Sequence, residues 1–313
     1  MEIATTLILA LLALVSAHAE IENPRELGNV QWLRNYDEAV EKSIEANKPI
    51  LILFQEVPGC QGCVNYGQST LTHPLIVDAI ETNFIPLAIH NNKGGDDERI
   101  LKRFNEPAWN FQVMRFIDAK GHDIIPRKDR IWTPAATAMR MVEALETTKQ
   151  SVPDYLRTVA WSDSMNELQT GVFSMNCFWD GEAKLGGIPG AIETEAGWLD
   201  GHEVVRLSYD SKTIMWPELV KIAQAHGCAR KVYATDTQTL AKTPKGPQAQ
   251  LFVKENYRPA RQSDQKRHLQ FSQLKQLMLN PVQRTKINAA LSQNDHATLK
   301  QWLSPSQIQT AKL

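Results

Sequence analysis

The stretch Pro49 to Phe54, PILILF, is apolar without a break. A run of that length with no alternation is what a strand covered on both faces requires. It leads at once into Val57-Pro58-Gly59-Cys60-Gln61-Gly62-Cys63. Pro58-Gly59 makes a turn, and a helix is expected to start near Cys60 and to include Cys63. Unpaired backbone N–H groups at a helix N-terminus stabilise a thiolate, so a thiol at this point is suited to chemistry. Cys60 is then the exposed attacking thiol, and Cys63, one turn inside, resolves the mixed disulfide. An inert disulfide and half of a metal site are the alternatives. No second Cys or His pair stands at zinc spacing, so no metal is expected.

The elements around this motif are legible from period and punctuation. Tyr36, Ala39, Val40 and Ile44 recur at helical spacing, and Asn47-Lys48-Pro49 ends the run. FIPLAIH, 84–90, reads as a second strand, and VMRFIDAKGHDII as a hairpin turning at Asp118 to Gly121. TPAATAMRMVEALETTKQ is a closing helix. A C-x-x-C motif between strand and helix in this order resembles the thioredoxin fold. The Val-Pro-Gly-Cys form is similar to a bacterial thioredoxin-like group that carries cysteine or selenocysteine after Val-Pro-Gly. That resemblance implies a cis-proline opposite the thiols, but Gln112 or a neighbour stands at that place, and Pro107 lies too far upstream. An ordinary trans loop is expected there.

Beyond a junction at 153–163, a second thiol appears in GVFSMNCFWDGEAKLGGIPG. The order reads strand, turn, helix, turn, strand, loop, strand, with Cys177 where the helix begins. AIETEAGW and EVVRLSYD alternate as antiparallel neighbours do, PELVKIAQAHG is a helix stopped by Gly227, and ARKVYA is a short strand. The stretch resembles methionine sulfoxide reductase A on ordered residues: Cys177-Phe178-Trp179 with Glu182, then Gly190 to Trp198, Gly201-His202-Glu203-Val204-Val205, and Tyr209-Asp210. Asn176 replaces the family's glycine, Trp198 its tyrosine, and the residue between His202 and Glu203 is absent. The loop that supplies the family's oxygen-binding tyrosine is also missing, which leaves Tyr233 or Tyr257 as substitutes.

The resemblance implies that Cys177 attacks a sulfoxide sulfur, that Glu203 protonates the leaving oxygen, and that Phe178, Trp179 and Trp198 hold the methyl group. Attack leaves a sulfenic acid on Cys177; Cys228 is the nearest candidate in sequence to condense with it, and the Cys60–Cys63 pair is expected to reduce that disulfide by exchange or to meet Cys177 directly. The same residues fit two other readings. One is a general thiol-disulfide oxidoreductase whose second domain recognises partners, and the other is a methionine-binding module without turnover.

The remaining features set the context. The apolar core Leu7 to Val15 precedes Ala17-His18-Ala19, a signal-peptide pattern, although the n-region lacks Lys and Arg. Export to the periplasm or beyond is expected, where disulfides form, yet there are only four cysteines. With 34 basic and 35 acidic residues, the charge gives no reason to expect nucleic acid as a partner. No stable membrane span is expected once the signal is removed. The segment 243–263 reads as a strap, and the end of the chain as short helices punctuated by Asn280-Pro281 and Ser304-Pro305. The fold class is therefore α/β and α+β. The expected order is a signal peptide over 1–19, a thioredoxin-like domain over 20–152, a reductase-A-like, ferredoxin-like α/β domain over 165–262, and a helical cap over 263–313. The partners implied are methionine sulfoxide in proteins or peptides and an upstream thiol-disulfide reductant, with no cofactor beyond the thiols.

Overall fold

The computed structural model describes residues 23–109, 112–163 and 168–313. The signal peptide expected over 1–19 lies outside the described residues. No helix among the described residues is long and apolar enough to cross a membrane. The first half contains α1 (Tyr36–Ala46), β1 (Ile50–Gln55), α2 (Gln61–Ser69), α3 (Pro74–Asn83), β2 (Ile85–His90), α4 (Asp96–Arg103), β3 (Val113–Ile117), α5 (Pro134–Thr147) and α6 (Asp154–Ala160). Its three strands run in the order β2-β1-β3. β2 is parallel to β1, with Ile85 beside Ile50, and β3 is antiparallel, with Ile117 beside Ile50.

Every residue of β1 is buried, and the reason is the alternation of its side chains. Leu51 and Leu53 enter a core with Phe84, Phe116, Met141 and Leu145. Ile50, Ile52 and Phe54 enter a second core with Tyr36, Ala39, Ile100 and Phe104. Each such side chain contributes roughly 1.5–3 kcal/mol of burial, which is why an unbroken apolar run is stable only in a central strand. The face of α1 is corrected by one position. Tyr36, Ala39 and Ser43 are buried and Ile44 is 67% exposed. The Ser43 hydroxyl donates to the Lys48 carbonyl at 2.6 Å, so its burial leaves no polar group unpaired. The hairpin turn forms at Asp118 to Gly121, but its second arm is a single bridge, Ile117 to Asp123. The junction at 153–163 holds α6, whose Tyr155, Leu156 and Val159 join the first core.

The second half contains β4 (Gln169–Ser174), α7 (Phe178–Gly186), β5 (Ala191–Leu199), β6 (His202–Tyr209), α8 (Trp216–Ala225), β7 (Lys231–Ala234), α9 (Thr237–Ala241), β8 (Gln248–Leu251) and β9 (Tyr257–Pro259). They form one sheet in the order β8-β7-β4-β6-β5-β9. The strap at 243–263 is thus no plain loop, because it supplies both edge strands. Its pattern hid this: all of QAQL in β8 is exposed, and β9 ends on a proline that only an edge tolerates. The sheet has two different faces. Phe173, Ala196, Val205 and Val232 pack with Phe178, Leu185 and Leu219 from α7 and α8. Val172, Leu199, Val204 and Tyr233 face the other way, under Phe252 and Tyr257.

The chain ends in α10 (Arg267–Gln270), α11 (Pro281–Ser292), α12 (His296–Gln301) and α13 (Pro305–Ala311), around a small core of Leu269, Leu274, Ile287, Leu299 and Leu303. α11 starts in a capping box of Asn280 and Gln283. Its Lys286 ammonium donates to the Gly186 and Ile188 carbonyls, at 2.9 and 3.0 Å, and so caps the end of α7. The extension also reaches the first half. Ser306 donates through its N–H to the Asp78 carboxylate at 3.2 Å and through its hydroxyl to the other oxygen. The Asn280 amide donates to the Thr158 hydroxyl at 2.7 Å.

Candidate functional site: two thiol centres

Cys60 is the N-cap of α2, and it is exposed, whereas Cys63 in the first turn is fully buried. Their sulfurs lie 3.6 Å apart and both are free thiols. Burial, and then the contact with the Cys60 thiol, push the Cys63 thiol up to about 12. The asymmetry suits exchange: one sulfur meets a partner and the other stays protonated until needed. The turn between β1 and α2 is pinned from three sides. The Gly59 N–H donates to the Glu26 carboxylate at 2.8 Å. The Gln55 amide donates to the Cys63 carbonyl at 3.1 Å. Asn92 accepts from the Val57 N–H and donates to the Pro58 carbonyl. Gly59 has no room for a side chain, since a Cβ would stand 2.6 Å from that of Cys63.

Gln112 stands close to the first centre. Its backbone is left-handed, with φ of 61°, and the residue is buried. A Cβ built on Gly62 would stand 3.3 Å from the Gln112 amide nitrogen and 3.5 Å from the Cys60 sulfur. The Gln112 side chain therefore lies over the first turn of α2, beside the Cys60 thiol. Among the described residues the only cis peptide bond is Val57–Pro58. Glu56, Cys60 and Cys63 bring a carboxylate oxygen and two sulfurs within 4.8 Å of one another. They are the one such trio among the described residues, and three donors fall short of the four of a closed structural zinc site.

The second centre is built where β4 turns into α7. Cys177 is the N-cap of that helix, half-buried and free. The Phe178 N–H donates to a Glu203 carboxylate oxygen at 2.7 Å. The Glu203 carbonyl accepts from the Met175 N–H at 3.2 Å, so one residue of β6 holds both sides of the thiol-bearing turn. Glu203 also sits directly across from Trp198 in the β5–β6 register. The Phe178 ring packs edge-on to Trp198 at 5.5 Å between centroids and tilted against Trp179 at 5.8 Å. Trp198 is 38% exposed, while Phe178 is buried, so the aromatic wall opens to solvent at Trp198. A thiol at a helix N-terminus, a carboxylate and three rings thus converge, as the sequence predicts.

Cys228 belongs to the same apolar core as Phe178. It is buried just after α8, its N–H donates to the Ala223 carbonyl, and burial raises its thiol to about 11. Lys184 and Asp180 of α7 are the charges it feels, and the nearby Arg230 bonds Asn176, so it flanks the helix that Cys177 begins. No bond joins the two sulfurs. Tyr233 and Tyr257 are corrected as substitutes for the missing tyrosine. Both belong to the face of the sheet turned away from Phe178, and the Tyr257 hydroxyl donates to Glu195 at 2.9 Å.

Sequence reasoning named Glu182 but missed the partners through which the extension locks onto it. Glu182, fully buried in α7, accepts from the Lys266 backbone N–H and from its ammonium, each at 2.6 Å. Gln265 pairs both amide atoms with the Ala196 backbone. Arg267 lies 3.8 Å over the Trp179 ring. The only local signal was a charged run, Asp264 to Arg267, at the start of an apolar cap.

The family described as thioredoxin-like matches residues 31–113. The first half has a thioredoxin-like fold. The peptide methionine sulfoxide reductase MsrA of Methanococcus maripaludis is 33% identical, over 18% of this chain and 48% of its own length. That of Rhodospirillum centenum is 35% identical, over 18% of this chain and 33% of its own length. The chain therefore spans about half or less of these relatives. A solved structure titled DsbH oxidoreductase is 19% identical with a TM-score of 0.33, and covers 42% of this chain and 94% of its own.

Proposed function

We propose that the chain is an exported thiol-dependent oxidoreductase that reduces methionine (S)-sulfoxide in proteins or peptides. On this reading a thioredoxin-like domain, 20–152, is fused to a trimmed reductase-A-like domain, 165–262, and a helical extension, 263–313. The observation that carries it is the Cys177 turn, where the thiol, the Glu203 carboxylate bonded to the next N–H and the wall of Phe178, Trp179 and Trp198 meet.

In the chemistry that follows, the Cys177 thiolate attacks the sulfoxide sulfur and the protonated Glu203 carboxyl gives its proton to the oxygen. The S–O bond to the methionine sulfur breaks, the transient bond between the two sulfurs is released, and the oxygen is transferred to the Cys177 sulfur, so the methionine leaves as the thioether and Cys177 is left as a sulfenic acid. A second thiol, Cys228 or one from the Cys60–Cys63 pair, condenses with it and releases water. The exposed Cys60 thiolate opens the resulting disulfide and Cys63 displaces the mixed disulfide, leaving Cys60–Cys63 oxidised for an external reductant. The test is turnover of each enantiomer of dabsyl-methionine sulfoxide with dithiothreitol, for wild type and Cys177→Ser. Turnover of the S form alone, lost in the variant, is the expected result, and no turnover by folded protein sinks the reading.

A second reading is favoured by the first centre alone. An exposed sulfur 3.6 Å from a buried one suits general disulfide exchange, with the second domain recognising partners. Insulin reduction lost in Cys60→Ser and kept in Cys177→Ser, without sulfoxide turnover, selects that reading. Sulfoxide binding without product selects a binding module.

A further inference from the structure

Two consecutive residues of the extension are bonded to the second sheet and to α7, and a third follows them. Gln265 holds the Ala196 backbone, Lys266 holds Glu182 and the Thr194 carbonyl, and Arg267 follows directly. The Arg267 guanidinium is stacked 3.8 Å from the centre of the Trp179 ring and 4.7 Å from that of Phe271. It makes no hydrogen bond or ion pair with a described residue. Two acids of α7, the helix that carries Trp179, are engaged elsewhere: Glu182 by Lys266, and Asp180 by Lys184 at 2.7 Å. Rings on the faces of a guanidinium restrict its orientation but leave its N–H edge open. That edge is a planar fork whose natural complement is a carboxylate, bound by two parallel hydrogen bonds. Trp179 packs against Phe178, and Phe178 against Trp198, so the guanidinium stands at the Trp179 end of the aromatic wall.

The geometry points to Arg267 as the carboxylate-binding residue of the Cys177 site, selecting substrates that carry a carboxylate next to the methyl sulfoxide. This inference rests on the proposed function and deepens it. Two sources share the chemistry: the α-carboxylate of free methionine sulfoxide, and an acidic residue beside methionine sulfoxide in a peptide.

The experiment compares kcat/KM of wild type, Arg267→Lys and Arg267→Gln on four (S)-sulfoxides. They are the free amino acid, an Asp-containing peptide, its Lys counterpart, and the N-acetyl N-methylamide, which has no charge. One charge-assisted contact predicts that a carboxylate substrate is preferred over the neutral one by about tenfold to a hundredfold, mainly through KM. The ratio collapses towards one in Arg267→Gln and is partly kept in Arg267→Lys. Preference for the free amino acid or for the Asp peptide identifies the source. Equal use of all four by wild type, or a preference that survives Arg267→Gln, overturns the inference.

If wild type turns over none of them, the reductase reading fails and binding still decides this one. Tryptophan fluorescence of Cys177→Ser is then titrated with N-acetylmethionine and with its amide. Tighter binding of the acid, lost when Arg267→Gln is added, supports the role of Arg267, and equal binding refutes it.

Discussion

Replacing Lys266 by Met removes one partner of a buried ion pair and gives the sharpest test of how the extension is held. Glu182 has no side-chain exposure and Lys266 has 7%. In wild type the carboxylate receives the Lys266 ammonium and backbone N–H at 2.6 Å each, and the Thr194 hydroxyl at 3.4 Å. With methionine at 266 the carboxylate keeps the N–H and hydroxyl but faces no positive charge, and the Thr194 carbonyl loses its donor. Stranding one charge of a buried pair costs about 3–5 kcal/mol. Adding Glu182→Gln removes the stranded charge and keeps an acceptor for the backbone N–H. The double variant is then expected to recover most of the loss, to within about 1–2 kcal/mol of wild type. The assay is urea unfolding followed by tryptophan fluorescence, since Trp179 and Trp198 report on this region. A Lys266→Met loss under about 1 kcal/mol, or a double variant no better than the single one, refutes the reasoning.

Four further outcomes follow from the geometry. On the proposed reductase reading, Glu203→Gln keeps an acceptor for the Phe178 N–H but no proton for the oxygen, so kcat on sulfoxide falls about 10²- to 10⁴-fold with an unchanged circular dichroism spectrum. Iodoacetamide at neutral pH labels Cys60 in the folded protein while Cys63, buried and protonated, stays unlabelled until denaturant is added, as peptide mass spectrometry reads directly. His90 is held near 4 by burial, then by the Arg34 charge, and its buried Nε2 lacks a partner. Between pH 6.5 and 4 the unfolded chain therefore binds a proton that the folded chain does not, so stability falls as pH drops, and His90→Gln flattens that part of the profile. Gly59→Ala forces a Cβ to within 2.6 Å of the Cys63 Cβ, so it shifts the urea midpoint down and disturbs the rate of insulin reduction.

Much of the fold was legible because the decisive signals are local. The unbroken Ile50 to Phe54 run requires cover on both faces, and Pro58-Gly59 before Cys60 fixes where the strand ends and the helix starts. Cys177 at the start of α7 follows in the same way from strand and helix punctuation, whereas Glu203 and Trp198 stood out only through the family resemblance. Ile44 was misplaced because a helix with four candidate apolar positions has more than one possible face, and the Ser43–Lys48 bond decided it. The edge strands β8 and β9 carry no alternation, since an exposed edge imposes none. Glu182 and Lys266 are 84 residues apart, and no short-range pattern records such a pairing. The aromatic sandwich around Arg267 escapes for the same reason.

The Ser306–Asp78 and Asn280–Thr158 bonds make the last helices a strut between the two thiol-bearing halves. Two domains on a flexible tether meet at a millimolar effective concentration, set by linker length alone. A strut replaces that average with a fixed geometry, in which exchange between the halves is either built in or forbidden. Clipping the chain near Asn280-Pro281 would return it to the tethered regime, and the change in the rate of internal thiol exchange would measure what the strut imposes.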